Sequence, residues 1–487
     1  MASHWVDEPL FEVEGVDPPE RVIPPAGAAR TFRHYDQHQS FLLPPSLDDW
    51  LPEDHVARFI SDVVDDLLDL SVVYASYETT DGAPPYDPKM MLKLLFYAYS
   101  TGVTSSREME RRAQIDVAFR WLCANASPDY RSISRFRRRH LLALDDLFIQ
   151  VLRLCGEAGL VSLGRVALDG TKLRASASRH KAMSHDRMGP KIEELEAQVA
   201  EILAEAEAID QAEDEEFGED KRGDELPAEL ATKEGRLAKL RAAKEAIEAE
   251  ANEKASAKAR AKAVADGKDN AGVTEAVEIA VAAATPNKKA QRNFTDPESR
   301  MMKTNDGFHY AYNAQTVVDE GSQVVLAAEV TQQAADVGEL STMIAVTEGN
   351  LDGADIDDSP ELILADAGYC SEVNLQWASD TETNVLVATG RIKANERVSD
   401  TPRGRIPKDA TQRERMARRL RTKAGRADYA RRKAIVEPAF GQMKVRQAAG
   451  QLRLRGLAGA QGEWTLHVIC HNLRKLANVH TAPVGAI

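Results

Sequence analysis

ELILADAGYCS, residues 361–371, runs four apolar residues from Leu362 to Ala365 straight into Asp366, with Gly368 close behind. A short apolar run bounded by turn residues predicts a strand buried on both faces, as in a parallel sheet. A carboxylate at the end of such a strand is costly unless something pairs with it. RVALDGTKLRASAS, residues 165–178, has the same design: Val166, Ala167 and Leu168 predict a strand that ends at Asp169, and Gly170 permits a turn. Either stretch alone also fits an Asp that hydrogen-bonds a turn. Together they place two carboxylates at the strand edge where α/β sheets present ligands.

Working outward, GFHYAYNAQTVVDEGSQVVLAAEVT (307–331) alternates on both sides of a turn at Asp319 to Ser322 and predicts a β-hairpin. A helix over Val337 to Asn350, the Asp366 strand, a helix from Ser371 to Ser379 and the strand NVLVAT follow. The predicted fold class is α/β, a mixed sheet in βββαβα order. From Asp48 to Asp145 the pattern is helical instead. Asp48 and Asp49 are candidate caps near Trp50, Asp87-Pro88 opens a helix that Gly102 closes, and Ser105 and Ser106 start the next. In PDYRSISRFRRRH, Ser132 or Ser134 is expected to cap a helix carrying Arg135, Arg138 and Arg139. Residues 105–140 hold nine basic and four acidic side chains, the composition of a helix-turn-helix type DNA-binding module or of a dimerisation domain with a charged face.

Residues 189–262 leave the sheet pattern. Ile192, Leu195, Val199, Ile202, Ala206 and Ile209, then Leu230, Lys233, Leu237, Leu240, Lys244 and Ile247, repeat at three and four, with Gly218, Gly223 and Pro227 between the two sets. This predicts an antiparallel helical hairpin inserted into the α/β domain, with an acid-rich tip. Residues 254–292 are Ala- and Lys-rich and read as a mobile linker. The resulting division is a lead-in over 1–44, a helical domain over 45–150, the first part of the α/β domain over 160–188, the insertion and linker over 189–292, the remainder of that domain over 293–480 and a tail over 481–487.

YARRKAIVEPAFGQMK, residues 429–444, sets Glu437 among Tyr429, Arg432, Lys433 and Lys444. Lys433 stands four residues before Glu437 and Lys444 seven after it, so a continuous helix aligns all three. An acid flanked by cations suits a site that holds a metal and grips a polyanion, and equally an exposed salt-bridged helix. Pro438 predicts a kink at Glu437 or a fresh turn there.

The net charge of −15 argues against a nucleic-acid partner until its distribution is read. Residues 189–230 carry sixteen acidic and three basic side chains, whereas residues 401–480 carry nineteen basic and five acidic. The basic field surrounds Glu437. Four scattered cysteines exclude a disulfide framework or zinc motif and read as reduced thiols. The acidic N-terminus has no signal-peptide pattern, and no apolar run reaches the ~20 residues of a spanning helix. A cytoplasmic protein with no membrane partner is expected.

These stretches, together with DPESRMMKTNDGFHYAYNAQTVVD, LADAGYCSEVNL, YDPKMMLKLLFYAYSTG and ISRFRRRH, resemble the DDE transposases of bacterial insertion sequences, in the branch with a Tyr, Arg, Glu, Lys signature. The resemblance spans most of residues 45–480. It implies an RNase H-like catalytic core, with Asp169, Asp366 and Glu437 as the catalytic, metal-binding triad. Tyr429, Arg432 or Lys433, and Lys444 would be DNA contacts beside it, and Arg135, Arg138 and Arg139 further DNA contacts. Four residues separate Arg432 from Glu437, one more than the signature's usual form, and Lys433 has the spacing without the guanidinium, so the roles of these two stay open.

Three converging carboxylates would repel one another and a phosphodiester, and oxygen-only ligands select two Mg²⁺ or Mn²⁺ ions. The expected activity is hydrolytic nicking of element ends followed by attack of the 3'-hydroxyl on target DNA. A homodimer bound to double-stranded DNA, near the bacterial nucleoid, goes with it. An RNase H-like nuclease without strand transfer and a non-catalytic DNA-binding descendant of a transposase are the alternatives.

Overall fold

Among the described residues the N-terminal region holds eight α-helices, five of them begun by a side-chain cap, from Ser46, His55, Asp87, Asp116 and Asp129. They are α1 (Leu47–Trp50), α2 (Val56–Asp62), α3 (Ser71–Ala75), α4 (Pro88–Ser100), α5 (Ser106–Ile115), α6 (Val117–Leu122), α7 (Tyr130–Arg139) and α8 (Ala143–Glu157). The computed structural model describes residues 46–77, 84–177, 182–217, 228–304, 306–390 and 404–480, with backbone only over 202–217 and 228–232. The expected lead-in, hairpin tip and C-terminal tail lie outside the described residues, as do the side chains of Ile202, Ala206, Ile209 and Leu230. Asp87 caps α4, with Pro88 in the first turn as anticipated. In α7 the cap is neither Ser132 nor Ser134 but Asp129, whose carboxylate accepts from Arg131 N at 2.9 Å and Ser132 N at 3.0 Å. An ionised acceptor at a helix N-terminus outcompetes a hydroxyl, so the helix starts earlier and the serines fall inside it.

The sheet is built on β1 (Arg165–Arg174). Strands β2 (Ala182–Ser184) and β3 (Gln291–Asn293) pair apart from it; β4 (Arg300–Thr304), β5 (Gly307–Asp319), β6 (Val325–Thr331), β7 (Leu362–Ala365) and β8 (Val385–Val387) belong to it. The strand order is β4-β5-β1-β7-β8, with β6 on the outer side of β5. β1 runs antiparallel to β5 from Val166 to Arg174 but parallel to β7 only from Arg165 to Leu168. Hence Asp169 is not the end of a strand and Gly170 makes no turn. The long β5 partner carries β1 on for six residues, Asp169 to Arg174, past the point where pairing with β7 stops.

Helix α12 (Leu340–Gly353) links β6 to β7, and α13 (Glu372–Asp380), capped by Ser371, links β7 to β8. Then come α14 (Gln412–Arg421), α15 (Lys423–Gly441) and α16 (Leu457–His480). Pro438 neither breaks nor restarts α15; the irregularity is a π-turn further on, over Gln442–Arg446. The carbonyl that a residue-438 N–H would have engaged, that of Ala434, accepts instead from Gln323 Nε2 at 3.2 Å, which replaces the hydrogen bond that proline removes. Helix α16 is buried along most of its length and packs on α4, α8 and β6, so one core serves both the helical region and the sheet.

Between β2 and β3 stand α9 (His185–Phe217), α10 (Ala228–Ala265) and α11 (Asn270–Ala282). Met188, Ile192, Leu195, Leu237, Leu240, Ala243 and Ile247 form their own apolar cluster, with Ala243 in the seam rather than the expected Lys244. Residues 254–292, anticipated as a linker, are mostly helical, in keeping with the high helix propensity of Ala and Lys. Glu250 of α10 pairs with Arg292 at 3.1 Å and with Arg300, tying the insertion to the sheet.

Glu329 on β6 is half-buried beside Asp145 and Glu339, and burial first, then those charges, push its pKa up to about 7 from an ordinary 4.5. Its contribution to stability is present below about pH 4.5 and lost as pH rises through about 7. Glu329→Gln is therefore expected to raise the melting temperature at pH 8 and leave it unchanged at pH 4. The gain is roughly 1–2 kcal/mol once solvent screening is allowed; equal shifts at both pH values would refute it.

Candidate active site

Strand register brings the two aspartates together. Leu168 and Ala365 are the last paired residues of the parallel β1–β7 ladder; Asp169 is the next residue of β1 and Asp366 the first residue after β7. Each aspartate's charge acts on the groups around it. Burial raises the pKa of Asp169, Arg432 opposes the shift, and Asp366 adds to it. Asp366 also caps the short turn Ala367–Tyr369, accepting from Gly368 N at 2.7 Å.

Helix α15 lies over the same face of β1. It is clamped there by Arg165, which reaches Asp428 at 2.9 Å and Glu320 at 3.1 Å, and by Arg431, which reaches Glu320 at 2.6 Å. From this seat Arg432 donates to Asp169 Oδ2 at 2.8 Å, with its side chain only 12% exposed. Burial pulls the pKa of Arg432 down, but the charges of Asp169, Tyr429 and Asp366 outweigh it and leave it raised. Tyr429 is half-buried beside them, its pKa raised chiefly by burial. Lys444 donates to Thr171 Oγ1, two residues along β1 from Asp169, and burial lowers its pKa. Lys433 is exposed, so of the two candidate cations Arg432 is the one that enters the site.

Glu437 is placed differently. It is exposed on α15, roughly 140° around the helix from Arg432 at ~100° per residue. Among the described residues no three His, Cys, Asp or Glu side chains stand close enough together to hold a metal ion. The donor set at Asp169 and Asp366 still fits a hard cation, because Mg²⁺ is commonly held by one or two carboxylates with water and substrate phosphate supplying the rest. Room is kept by Gly368, where a Cβ would lie 2.9 Å from Asp366 Oδ1 and 3.2 Å from Asp336 Oδ2. Local patterning did not single out Asp336 or Thr171: neither sits on a strand-end motif, and only folding brings them to the site.

Of the three basic residues expected on α7, Arg135, Arg138 and Arg139 are exposed. Arg137, in the same run, is buried and donates to Tyr99 Oη at 2.6 Å and Thr104 O at 3.0 Å. Cys123, Cys155 and Cys470 are buried free thiols and Cys370 is a partly exposed one. Among the described residues no helix is long and apolar enough to cross a membrane.

Two family models match the chain: a transposase domain (DUF772) over residues 45–139 and a transposase DDE domain over 282–473. The second takes in Asp366 and Glu437 but not Asp169, whose strand is separated from it in sequence by the α9–α11 insertion while lying between β5 and β7 in the sheet. No curated protein and no solved structure matches the chain.

Proposed function

Because this chain belongs to the DDE transposases of insertion sequences, we propose that it binds the ends of its element, nicks them hydrolytically and joins the freed 3'-hydroxyls to target DNA. The observation that carries the reading is the pair of aspartates set side by side by the β1–β7 register, with Arg432 on one of them. Asp169 and Asp366 would hold divalent metal, Mg²⁺ or Mn²⁺, and Glu437 would complete the set. Such ions, when bound, supply an activated oxygen nucleophile and stabilisation of the departing oxygen. Asp169 and Asp366 supply fixed negative charge where those ions bind. Arg432 holds Asp169 in place and would offer its guanidinium to a phosphate bound there, while Lys444, kept half-buried against Thr171, adds a second cation along β1.

The branch with the Tyr, Arg, Glu, Lys signature, the RNase H-like ancestry of the sheet, DNA contact by Tyr429, Lys433, Arg135, Arg138 and Arg139, cytoplasmic location and a homodimer on DNA belong to the same proposal. Glu437 is exposed on α15, so its part in the set rests on the family resemblance and on the variant test below.

The test is strand transfer from precut element ends carrying 3'-hydroxyls, in Mg²⁺, into a supercoiled plasmid. Joined products are expected from the unaltered protein and none from Glu437→Gln, with end binding retained by both. Cleavage of uncut ends without joined products would instead favour a nuclease. Full strand transfer by Glu437→Gln would remove Glu437 from the site.

A further inference from the structure

Asp336 belongs to no motif, yet it stands behind both aspartates. It lies in the loop between β6 and α12, and its Oδ1 accepts from Lys172 Nζ at 3.1 Å, Asn313 Nδ2 at 2.7 Å and Gln315 Nε2 at 2.8 Å. Those three donors form one patch of sheet, since Asn313 pairs with Lys172 and Gln315 with Gly170 across the β1–β5 ladder. Side chains alternate along a strand, so Gly170 and Lys172 face away from the side on which Asp169 meets α15. Gly170 is what lets the carboxylate in: a Cβ there would lie 2.5 Å from Gln315 Nε2 and 2.8 Å from Asp336 Oδ1.

The same loop grips the turn after Asp366. Gln315 takes the hydroxyl of the buried Tyr369 on its Oε1 while giving its Nε2 to Asp336. Asn374 bridges the two segments, donating to Val337 O at 2.7 Å and Tyr369 O at 2.8 Å. Asp336 Oδ2 in turn faces Gly368 closely enough that a Cβ would sit 3.2 Å from it.

We infer that Asp336 is a positioning residue: through Gln315 and Tyr369 it fixes the Ala367–Tyr369 turn, and so holds the Asp366 carboxylate beside Asp169 for metal. This rests on the proposed function, in which those two aspartates take the ions. Groups that orient metal ligands typically contribute about 10–100-fold in metal affinity.

The experiment measures Mn²⁺ binding to the full-length protein without DNA, by loss of the free-ion electron paramagnetic resonance signal, alongside melting temperature and end cleavage. Asp336→Ala is expected to weaken Mn²⁺ binding by about 10–100-fold and to cut cleavage at limiting Mn²⁺, with partial recovery at high Mn²⁺. Asp336→Asn keeps the volume and one acceptor oxygen for the two amides, so it should fall between Asp336→Ala and the unaltered protein, and it carries the test if Asp336→Ala does not fold. Tyr369→Phe, which cuts the chain one link later, should weaken Mn²⁺ binding in the same direction.

Unchanged Mn²⁺ affinity in the folded Asp336 variants overturns the inference. So does a loss in Asp336→Asn as complete as in Asp169→Ala, which would make Asp336 a ligand rather than a support. If the unaltered protein binds no Mn²⁺, or Asp169→Ala binds it normally, the proposed function fails too. Binding that is lost in Asp169→Ala and kept in Asp336→Ala brings down only this inference.

Discussion

Asp169→Asn is expected to abolish cleavage, by about a thousandfold or more, while leaving the melting temperature within a few degrees of the unaltered protein. The first half follows from charge: an amide is a poor ligand for a hard divalent cation, and the several kcal/mol that metal ions supply to the departing and attacking oxygens would be lost. The second half follows from burial. Asp169 is largely buried, and that burial raises its pKa in spite of Arg432, so its charge is held at a cost to the fold. A neutral group of the same shape removes that cost and still accepts from Arg432, which offsets part of what the buried guanidinium loses with its counter-charge. Asp169→Ala is the contrast: it strips Arg432 of its acceptor and is expected to lower the melting temperature as well as the activity. Cleavage and melting curves on both variants check this. Undiminished cleavage by Asp169→Asn would end the metal-site reading.

The second large effect lies far from the site, in a helix that looks uniformly basic. Arg137→Ala should destabilise the protein by about 3 kcal/mol and lower its melting temperature by roughly 5 °C or more. Changing Arg135, Arg138 and Arg139 together should leave it nearly unaltered, as exposed substitutions generally do. Arg137 donates to Tyr99, which donates at 3.1 Å to Glu463, a buried residue of α16 whose carboxylate also takes the N–H groups of Arg453 and Leu454 at 2.7 Å each. Burial raises the pKa of Glu463 and Arg137 pulls it back. Without Arg137 the carboxylate would take up a proton more readily, which caps the loss. Thermal melts report the stability difference, and a gel shift on element ends reports the converse: the triple variant should lose end binding, and Arg137→Ala, where still folded, should keep it. Equal destabilisation by both sets of changes would contradict the buried network.

These two arginine sets show what a local reading of the chain reaches and where it stops. The alternation over 307–331, the apolar run 362–365 and the Asp87-Pro88 start of α4 are properties of neighbouring residues, and each element formed where its pattern lies. Asp366 was legible for the same reason, being the residue after a buried run. Arg135 and Arg137, by contrast, sit in one basic stretch, and although Arg137 shares a face with Ile133 and Phe136, nothing nearby in sequence supplies the Tyr99 and Glu463 network that receives it.

Sequence alone was enough for the family resemblance, the mixed α/β class, the helical N-terminal region and the inserted helices, because these rest on periodicity and on motifs a few residues long. Folding settled the rest: Asp169 lies in mid-strand, Arg432 rather than Lys433 reaches it, Glu437 stays on the outer side of α15, and Asp336 backs the two aspartates. The physical reason is that each of these depends on which distant strands share a ladder and where one stops. A β5 that outruns β7, and a freed carbonyl answered by Gln323, are facts of three-dimensional contact, and side-chain partners more than a hundred residues apart leave no periodic trace in the chain.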